Sequence, residues 1–149
     1  MWNIKKLTAL SLTCFSLTLT GCGESRNEHE IKGNVTINGK PIQNGVISFV
    51  PADGAAQTAG GTIIDGSYVA HVPPGAKTVT VLGNEETGEE PLYQGVPDSP
   101  TRKTYKTVTP VIYNTASTSP LKIEITGAKE GVDFALEGKA PSAAELQAR

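Results

Sequence analysis

Cysteine is scarce in this 149-residue sequence, and both cysteines lie near the N-terminus. Because they are Cys14 and Cys22, the chain after residue 22 has no thiol for a disulfide, a zinc site or a nucleophile. A domain without disulfides has to be stabilised by its apolar core. The stretch from Cys22 onward is about 128 residues long, which suits a single domain with a core of that kind.

Aromatic residues, histidine and excess positive charge are also scarce. Trp2 is the only tryptophan, there are two histidines, and 13 basic residues face 15 acidic ones. Without a basic patch, nucleic-acid binding has no electrostatic basis. His29 lies in a polar stretch, so a catalytic triad would have to use His71, and no nucleophile-elbow motif accompanies it. The composition therefore favours neither nucleic-acid binding nor triad catalysis.

Long apolar runs are missing, apart from a short one at the N-terminus. Residues 7–19 are mostly apolar, follow Lys5 and Lys6, and lead to the small residue Gly21. This run of about a dozen residues is shorter than the roughly 20 that cross a bilayer as a helix. Its three-part layout is that of an export signal, so we expect residues 1–21 to be removed. Loss of the two lysines leaves a formal charge of about −4.

Leu19-Thr20-Gly21-Cys22 closes this segment and resembles the lipobox of bacterial lipoproteins. The resemblance implies cleavage between Gly21 and Cys22 and attachment of lipid to Cys22, as a diacyl thioether with an acylated amine. Several acyl chains, such as palmitate, give stable anchoring where one chain would be marginal. The protein would then be lipid-anchored to a membrane of the cell envelope, outside the cytoplasm. Gly23 stands where an Asp commonly retains such proteins at the inner membrane, which favours the outer membrane in a cell with two. A plain secretory signal, cut elsewhere, is the alternative.

Beyond Cys22, residues 22–30 are polar and predict a tether, residues 31–137 predict the folded domain, and residues 138–149 predict a flexible tail. Apolar residues alternate with polar ones in short segments bounded by Gly and Pro. Asn38-Gly39 and Asp65-Gly66 are strong signals of tight turns. The seven expected strands are 31–37, 46–50, 62–64, 67–72, 77–82, 121–125 and 132–136. This pattern predicts an all-β fold, a seven-stranded antiparallel β-sandwich.

The alternation also predicts which side chains face the core. The inward-facing residues are expected to be Ile37, Ile47, Phe49, Tyr68, Val79, Val81, Ile123, Ile125, Phe134 and Leu136. Lys32 and Asp133, which lie on the first and last strands, fall on the outward side of this alternation. Some bacterial β-sandwiches form a Lys-to-Asn or Lys-to-Asp amide crosslink, but that chemistry needs a buried pair. We therefore expect no crosslink between these two residues.

Three segments in order resemble carboxypeptidase regulatory-like domains. They are residues 33–41 with 45–51, then Asp65-Gly66-Ser67-Tyr68, then Val72-Pro73-Pro74-Gly75. Tyr113-Asn114 with Ser119-Pro120-Leu121 is similar to the segment before a late strand in bacterial transthyretin-like lipoproteins, although Ile112 stands where a Lys is usual. The resemblance covers about residues 31–136 and implies a transthyretin-like, prealbumin-type sandwich that is usually non-catalytic. It supplies no catalytic residue and no cofactor.

The interval from residue 83 to 120 is far longer than the usual connection of about 4–6 residues. Loops of that length are functional or disordered. If consecutive strands are antiparallel, this loop lies with 38–45 and 65–66 at the end away from the tether. Residues 51–58, 73–75 and 126–131 then lie at the tether end. The loop is expected to hold the candidate binding residues, which are Glu85, Glu86, Glu89, Glu90, Tyr93, Arg102, Lys103 and Tyr105.

Other functions stay open at this point. Asp53, Asp65 and Asp98 could meet in space as the carboxylates of a small hydrolase. The glutamate cluster could bind Ca²⁺, although its spacing lacks EF-hand order. Tyr93, Tyr105 and Tyr113 could form a carbohydrate-binding surface if they are exposed and coplanar. We expect a non-catalytic, lipid-anchored binding or structural module, without metal or cofactor, whose partner is a protein or a glycan.

Overall fold

A computed structural model describes residues 27–54 and 57–147. The expected signal segment, its cleavage site at Gly21-Cys22 and most of the tether lie outside the described residues. Nine strands lie within them, against the seven expected. They are β1 (His29–Ile37), β2 (Lys40–Pro41), β3 (Asn44–Pro51), β4 (Ala59–Ile64), β5 (Ser67–Val72), β6 (Gly75–Pro91), β7 (Thr101–Thr107), β8 (Lys122–Ile125) and β9 (Phe134–Leu136). A 3₁₀ helix (Val111–Tyr113) and a short helix α1 (Ala143–Gln147) complete the described part.

The strands form a curled, mostly antiparallel sheet in the order β2-β1-β5-β4-β3-β6-β7. Two further strands are added at its sides, because β8 pairs antiparallel with β6 and β9 pairs parallel with β1. The chain between them runs along β1, where Lys129 bridges to Ile31 and Val132 N–H donates to Lys32 C=O at 3.0 Å. The segment from β8 to β9 therefore crosses from the β6 side of the sheet to the β1 side.

One face of the curled sheet encloses the core. Its fully buried members include Ile31, Ile47, Phe49, Ile63, Val79 and Val81, each 0% exposed. All ten residues expected to face inward lie in this core or pack against it, with Ile37, Ile123 and Phe134 partly buried at its margin. Tyr68 sits between two phenylalanines, with ring centroids 6.2 Å from Phe49 and 6.3 Å from Phe134. The period-two alternation thus identified the core face of each strand that it found.

Both tight turns expected from the sequence are present. Asn38 and Gly39 have φ of 49° and 77° and connect β1 to β2, and Asp65 and Gly66 have φ of 48° and 84° and connect β4 to β5. Positive φ at both central positions is the geometry that favours Asn-Gly and Asp-Gly in two-residue hairpins. Gly66 N–H also donates to Ile42 C=O at 2.8 Å, so the two turns lie at the same end of the sheet.

The two ends of the sheet are arranged as the sequence predicted. His29 at the start of β1 pairs with Val72, and Lys77 pairs with Pro51, so the turns after β3 and β5 lie at the end where the tether enters. At the opposite end, which we call the distal end, Asn44 pairs with Asn84 and with Ile64. β1 itself begins two residues earlier than expected, and its His29 and Glu30 are part of the sheet.

The expected long loop at 83–120 is the main correction to the sequence analysis. β6 continues through this region to Pro91 and pairs with β7, so residues 84–107 form a β-hairpin. The sequence did not predict this hairpin because Glu and Lys have low strand propensity. The oppositely charged residues that pair with them lie on the facing strand, and the order of residues along the chain does not reveal that pairing. The 3₁₀ helix follows this hairpin. Buried Thr109, just before it, accepts a hydrogen bond from Gly83 N–H of β6, and Tyr113 at its end is also buried.

Candidate binding site

The candidate binding residues are brought together on one element, the 84–107 hairpin. Glu85, Glu86, Glu89 and Glu90 lie on the second half of β6, and Arg102, Lys103 and Tyr105 lie on β7. Tyr93 lies in the connection between the strands. These residues were expected on a loop, and the structure places all but Tyr93 on paired strands. Their position at the distal end agrees with the sequence analysis.

The acidic and basic stretches of the hairpin neutralise each other across the strand pair. Lys103 Nζ lies 2.9 Å from Glu86 Oε2, and Arg102 Nε donates to Glu90 Oε1 at 2.7 Å. Thr101 Oγ1 donates to Glu89 Oε2, also at 2.7 Å. The Glu86 carboxylate raises the pKa of Lys103, first through this hydrogen bond and then through its charge. These pairs are solvent-exposed, so they set the register of the hairpin more than they stabilise the fold.

A β-bulge interrupts the pairing at Thr87. Glu86 is opposite Tyr105 and Gly88 is opposite Thr104, which leaves Thr87 as an extra residue on β6. The hydroxyl groups of Thr87 and Thr104 lie 3.1 Å apart on the same side of the ribbon. Because a bulge increases local twist, the outer half of the hairpin is turned relative to the body of the sheet.

The hairpin stands clear of the rest of the described chain. Pairing between β3 and β6 ends at Asn44 and Asn84, and within the described residues β7 pairs with β6 alone. The seven residues of β6 beyond Asn84 extend the ribbon by roughly 20 Å at about 3.3 Å per residue. Both long edges of this ribbon therefore present unpaired backbone groups, which other extended chains can bind.

The tip of the hairpin is apolar, a feature that the sequence analysis missed. Leu92, Tyr93 and Val96 are 49%, 63% and 54% exposed. Tyr93 N–H donates to Ser99 Oγ at 2.9 Å, and Leu92 N–H donates to Pro100 C=O at 2.8 Å, so two hydrogen bonds close the base of the tip. With half-exposed Tyr105 on β7, the hairpin presents two of the three tyrosines considered for carbohydrate binding.

Tyr113, the third of these tyrosines, is buried instead of exposed. Its phenol lies 3.3 Å from Glu137 C=O, in reach to donate a hydrogen bond. It therefore belongs to the core and not to a binding surface. Buried Tyr68 resembles it in this respect, since its hydroxyl donates to Val132 C=O at 2.8 Å and burial raises the pKa of its phenol.

A cavity of about 270 Å³ lies at the base of the hairpin, between it and the β1–β2 turn. Its floor is apolar and its rim carries a cation and a carboxylate. The lining residues are Ile37, Lys40, Pro41, Ile42, Gln43, Asn84, Glu85 and Val108. The hairpin is fixed beside this cavity by Thr109, whose hydroxyl accepts from Gly83 N–H and donates to Asn114 Oδ1, both at 3.1 Å. No periodic pattern in the sequence indicates this cavity, because it joins segments that are 23 residues apart or more in the chain.

The other candidate residues do not converge. Asp53 lies after β3 at the tether end, Asp65 lies in the β4–β5 turn at the distal end, and Asp98 lies in the hairpin connection. Within residues 27–54 and 57–147, no three His, Cys, Asp or Glu side chains are grouped to hold a metal ion. Lys32 and Asp133 interact with different residues. Lys32 forms an ion pair with Glu30 at 2.7 Å, and Asp133 accepts a hydrogen bond from Asn34 N–H at 2.7 Å.

Comparison with known proteins adds little to this geometry. No family model matches the sequence, and no curated protein matches it. Among solved structures, a 9R-lipoxygenase from Cyanothece PCC8801 is similar over 76% of this chain and 17% of that chain, with 12% identity and a TM-score of 0.35. The chain thus spans a small part of the lipoxygenase. In the part of the chain that the structure describes, no helix has the length and apolar character needed to cross a membrane.

Proposed function

We propose that this protein is a lipid-anchored, extracytoplasmic binding module that acts without catalysis and binds a protein or glycan partner through the 84–107 hairpin. Its fold is a β-sandwich of the transthyretin-like, carboxypeptidase regulatory-like type. The anchor is Cys22, and the module sits in the cell envelope, at the outer membrane where the cell has two. The proposal assigns the protein no cofactor.

The observation that carries the proposal is the free-standing hairpin. Seven residues beyond Asn84 in β6 and the seven residues of β7 would be a liability if they had no role, because such a ribbon exposes backbone groups on both edges. Charged pairs along its faces keep the ribbon soluble, and its tip carries exposed Leu92 and Tyr93. An apolar tip on a charged stem is the arrangement of a contact element with an aromatic anchor.

Orientation supports the same proposal. β1 begins at the tether end beside Val72, and the hairpin leaves the body at the distal end beside Asn44. A chain anchored at Cys22 would hold its hairpin away from the lipid surface. Partners that approach from outside would then meet the hairpin first.

A hydrolase remains the competing class, and the placement of its carboxylates does not favour it. Asp53 and Asp65 are at opposite ends of the sheet, so they cannot share a reacting atom as paired carboxylates do. In the glutamate cluster, Glu86, Glu89 and Glu90 each accept a hydrogen bond from β7, which leaves few oxygens for calcium.

Replacement of residues 85–106 by a short Gly-Ser linker tests the proposal. Asn84 and Thr107 are paired partners, so a linker between them closes the ribbon without disturbing the body. We expect the variant to keep its melting transition and to lose the partner in a pull-down from detergent extract. A matched control exchanges exposed Lys122 and Glu124 of β8 for alanine and should retain the partner.

A second variant tests whether loss of the partner in the first could result from a folding defect. Tyr93→Ala combined with Leu92→Ala keeps the whole hairpin and removes only exposed apolar groups at its tip. Partner binding should fall in this variant as well. Retention of the partner by both variants, or loss of the partner from the β8 control, would contradict the assignment to the hairpin.

A further inference from the structure

The cavity at the base of the 84–107 hairpin combines an apolar lining with one cation and one carboxylate. It has a volume of about 270 Å³. Lys40 of β2 and Glu85 of β6 carry its charges. Its apolar lining residues are Ile37, Pro41, Ile42 and Val108. A concave apolar surface with a few charged groups is the usual form of a small-molecule site.

The core of the domain is open at this cavity. Val79, Val81 and Gly83 of β6 are buried and lie on the core side of the strand. Ile42 packs over Gly83, since a methyl group there would lie 2.7 Å from Ile42 Cγ2. Glu85 is the next residue in this alternation, but it is exposed. An apolar side chain at this position would close the core, whereas the glutamate leaves the apolar lining of the cavity accessible.

Glu85 differs from the other three glutamates of the hairpin. Glu86, Glu89 and Glu90 each accept a hydrogen bond from a residue of β7. Within residues 27–54 and 57–147, the side chain of Glu85 forms no hydrogen bond and no ion pair, and the same holds for the side chain of Lys40. Both charges at the cavity can therefore pair with a ligand.

The lining of the cavity excludes several classes of ligand. A ligand with only negative charge would meet Glu85, and one with only positive charge would meet Lys40. None of the described residues that line the cavity is aromatic, so a sugar ring or a nucleobase has no face on which to stack. Drug-sized molecules occupy pockets of about 300–1,000 Å³, so the ligand has to be smaller. A small zwitterion with an apolar body is compatible with each of these limits.

We propose that this cavity binds a free α-amino acid with an apolar side chain. That side chain would pack on Ile42 and Val108, the carboxylate would face Lys40, and the ammonium group would face Glu85. Charge-assisted hydrogen bonds to both head groups would fix its orientation. The C-terminal residue of a peptide has the same side chain and carboxylate but lacks the ammonium group, so Glu85 selects the free amino acid.

Four probes test this proposal on the full chain, labelled with ¹⁵N and purified in detergent. L-Leucine has all three features, glycine lacks the apolar side chain, L-leucinamide lacks the carboxylate, and N-acetyl-L-leucine lacks the ammonium group. Leucine at millimolar concentration should shift the backbone amide signals of Asn84, Glu85 and Val108. Each of the other three probes should bind several-fold more weakly, because one complementary contact is lost.

Two substitutions assign the charged contacts. Lys40→Met should weaken leucine binding several-fold and remove the difference between leucine and leucinamide. Glu85→Gln should weaken leucine binding to a similar extent and remove the difference between leucine and N-acetyl-leucine. Both residues are exposed, so the fold should be retained, and the melting transition checks this. Lys122→Met and Glu124→Gln make the same changes on β8, at the tether end, and should leave the Kd of leucine unchanged.

Several results would overturn the proposal. They are the absence of amide shifts with leucine, shifts confined to residues away from the cavity, and unchanged leucine binding in Lys40→Met and Glu85→Gln. Equal affinity for leucine and N-acetyl-leucine would mean that the cavity holds the end of a peptide, and equal affinity for leucine and glycine would mean that the apolar lining has no part in binding; either would also overturn it.

The tip variant Leu92→Ala with Tyr93→Ala separates this proposal from the one for the hairpin. It keeps every residue of the cavity, so it should lose the partner in the pull-down and still bind leucine. Lys40→Met lies outside the hairpin and should show the opposite behaviour. The two proposals can therefore fail independently.

Discussion

At the scale of single residues, Gly33 shows why one position in β1 has to lack a side chain. The chain that leads into β9 passes so close to β1 that a methyl group at Gly33 would overlap the carbonyl oxygen of Val132. That approach is fixed by the hydrogen bond from Val132 N–H to Lys32 C=O. The glycine is therefore needed for close packing of two backbones, and its own φ is not in the left-handed region.

Gly33→Ala should destabilise the fold, because the backbone of one of the two segments has to move. Overpacking of this kind costs about 1–3 kcal/mol. Gly127→Ala is the matched control, since a methyl group there meets no atom within 4 Å, and it should change stability by less than about 0.5 kcal/mol. Urea unfolding of the two variants measures the difference. Equal midpoints would mean that β9 does not approach β1 as described.

Glu30 and Lys32 form an ion pair on β1, and Glu130 also approaches Lys32. They lie two residues apart on the same side of the strand, with 2.7 Å between Lys32 Nζ and Glu30 Oε1, and Glu130 approaches Lys32 at 3.6 Å. The hydrogen bond from Lys32 holds the pKa of Glu30 below its usual range, and the same bond raises the pKa of Lys32.

The sign of the pH dependence follows from these directions. Since the folded pKa of Glu30 is lowered, its contribution is present above the ordinary pKa of a glutamate and is lost as pH falls through the folded pKa. Lys32→Met should therefore move the pKa of Glu30 back toward its usual range. NMR titration of the side-chain carboxyl carbon measures this, with Lys122→Met on β8 as a control that leaves Glu30 unchanged. An unshifted Glu30 in Lys32→Met would show that the pair does not persist in solution.

At the scale of elements, the sequence predicted best where local geometry decides the structure. The tight turns predicted at Asn38-Gly39 and Asp65-Gly66 are present, because positive φ is a property of the two turn residues themselves. The faces of β1, β3 and β5 were correct because alternation is a property of one strand. β7 was missed because its strand character depends on β6, and β2 was missed because it has only two residues and one of them is Pro41.

The candidate site was predicted in part for the same reason. The position of the candidate residues at the distal end was predicted, since it follows from strand order. The pairing of Lys103 with Glu86 and the cavity at the base were not, because they join residues that are 17 or more positions apart. The placement of Tyr113 inside the core was also missed, as it depends on the contact with Glu137 after β9.

The segment after β9 is attached to the first turn by one side chain. Asn38 Nδ2 donates to Gly138 C=O at 2.9 Å, and Gly138 N–H donates to Asn38 Oδ1 at 3.1 Å. Buried Pro141 follows, and Ser142 then donates from its backbone N–H to Glu145 in the first turn of α1. Asn38 therefore has two functions, to adopt positive φ and to bind the end of the domain.

Asn38→Gly separates these two functions. Glycine accepts the positive φ of the turn, so β1 and β2 should stay paired, while both hydrogen bonds to Gly138 are lost. Each is worth about 0.5–1.5 kcal/mol, and the backbone amide of Gly138 should exchange faster with solvent by the corresponding factor. Gly127→Ala, in a bend where a methyl group meets no atom within 4 Å, tests whether a substitution elsewhere in the connections has this effect. Unchanged exchange at Gly138 in Asn38→Gly would show that the side chain does not hold the segment.

At the scale of the whole molecule, the proposed function depends on which end of the domain the proposed anchor would hold at the membrane. β1 starts at one end of the sheet and the hairpin leaves at the other, so an anchor before residue 27 would set the direction in which the hairpin points. The proposed anchor is Cys22, five residues before the first described residue. If the chain is anchored there, the polar residues 23–28 would allow the domain up to roughly 20 Å of clearance from the lipid, at about 3.3 Å per extended residue.

Cys22→Ala tests this arrangement directly, because among the residues at the end of the signal only a thiol accepts the diacylglyceryl group. The variant should remain an unprocessed precursor without lipid, whereas the unsubstituted chain should begin at Cys22 and carry the mass of several acyl chains. Intact-mass measurement of the membrane fraction distinguishes the two. Cys14→Ala, which changes the other cysteine inside the segment that is expected to be removed, should leave both cleavage and lipid mass unaltered. An unsubstituted N-terminus without acyl mass, or one that begins elsewhere, would remove the anchor from the proposal, while the hairpin would still be testable as the binding element of a secreted domain.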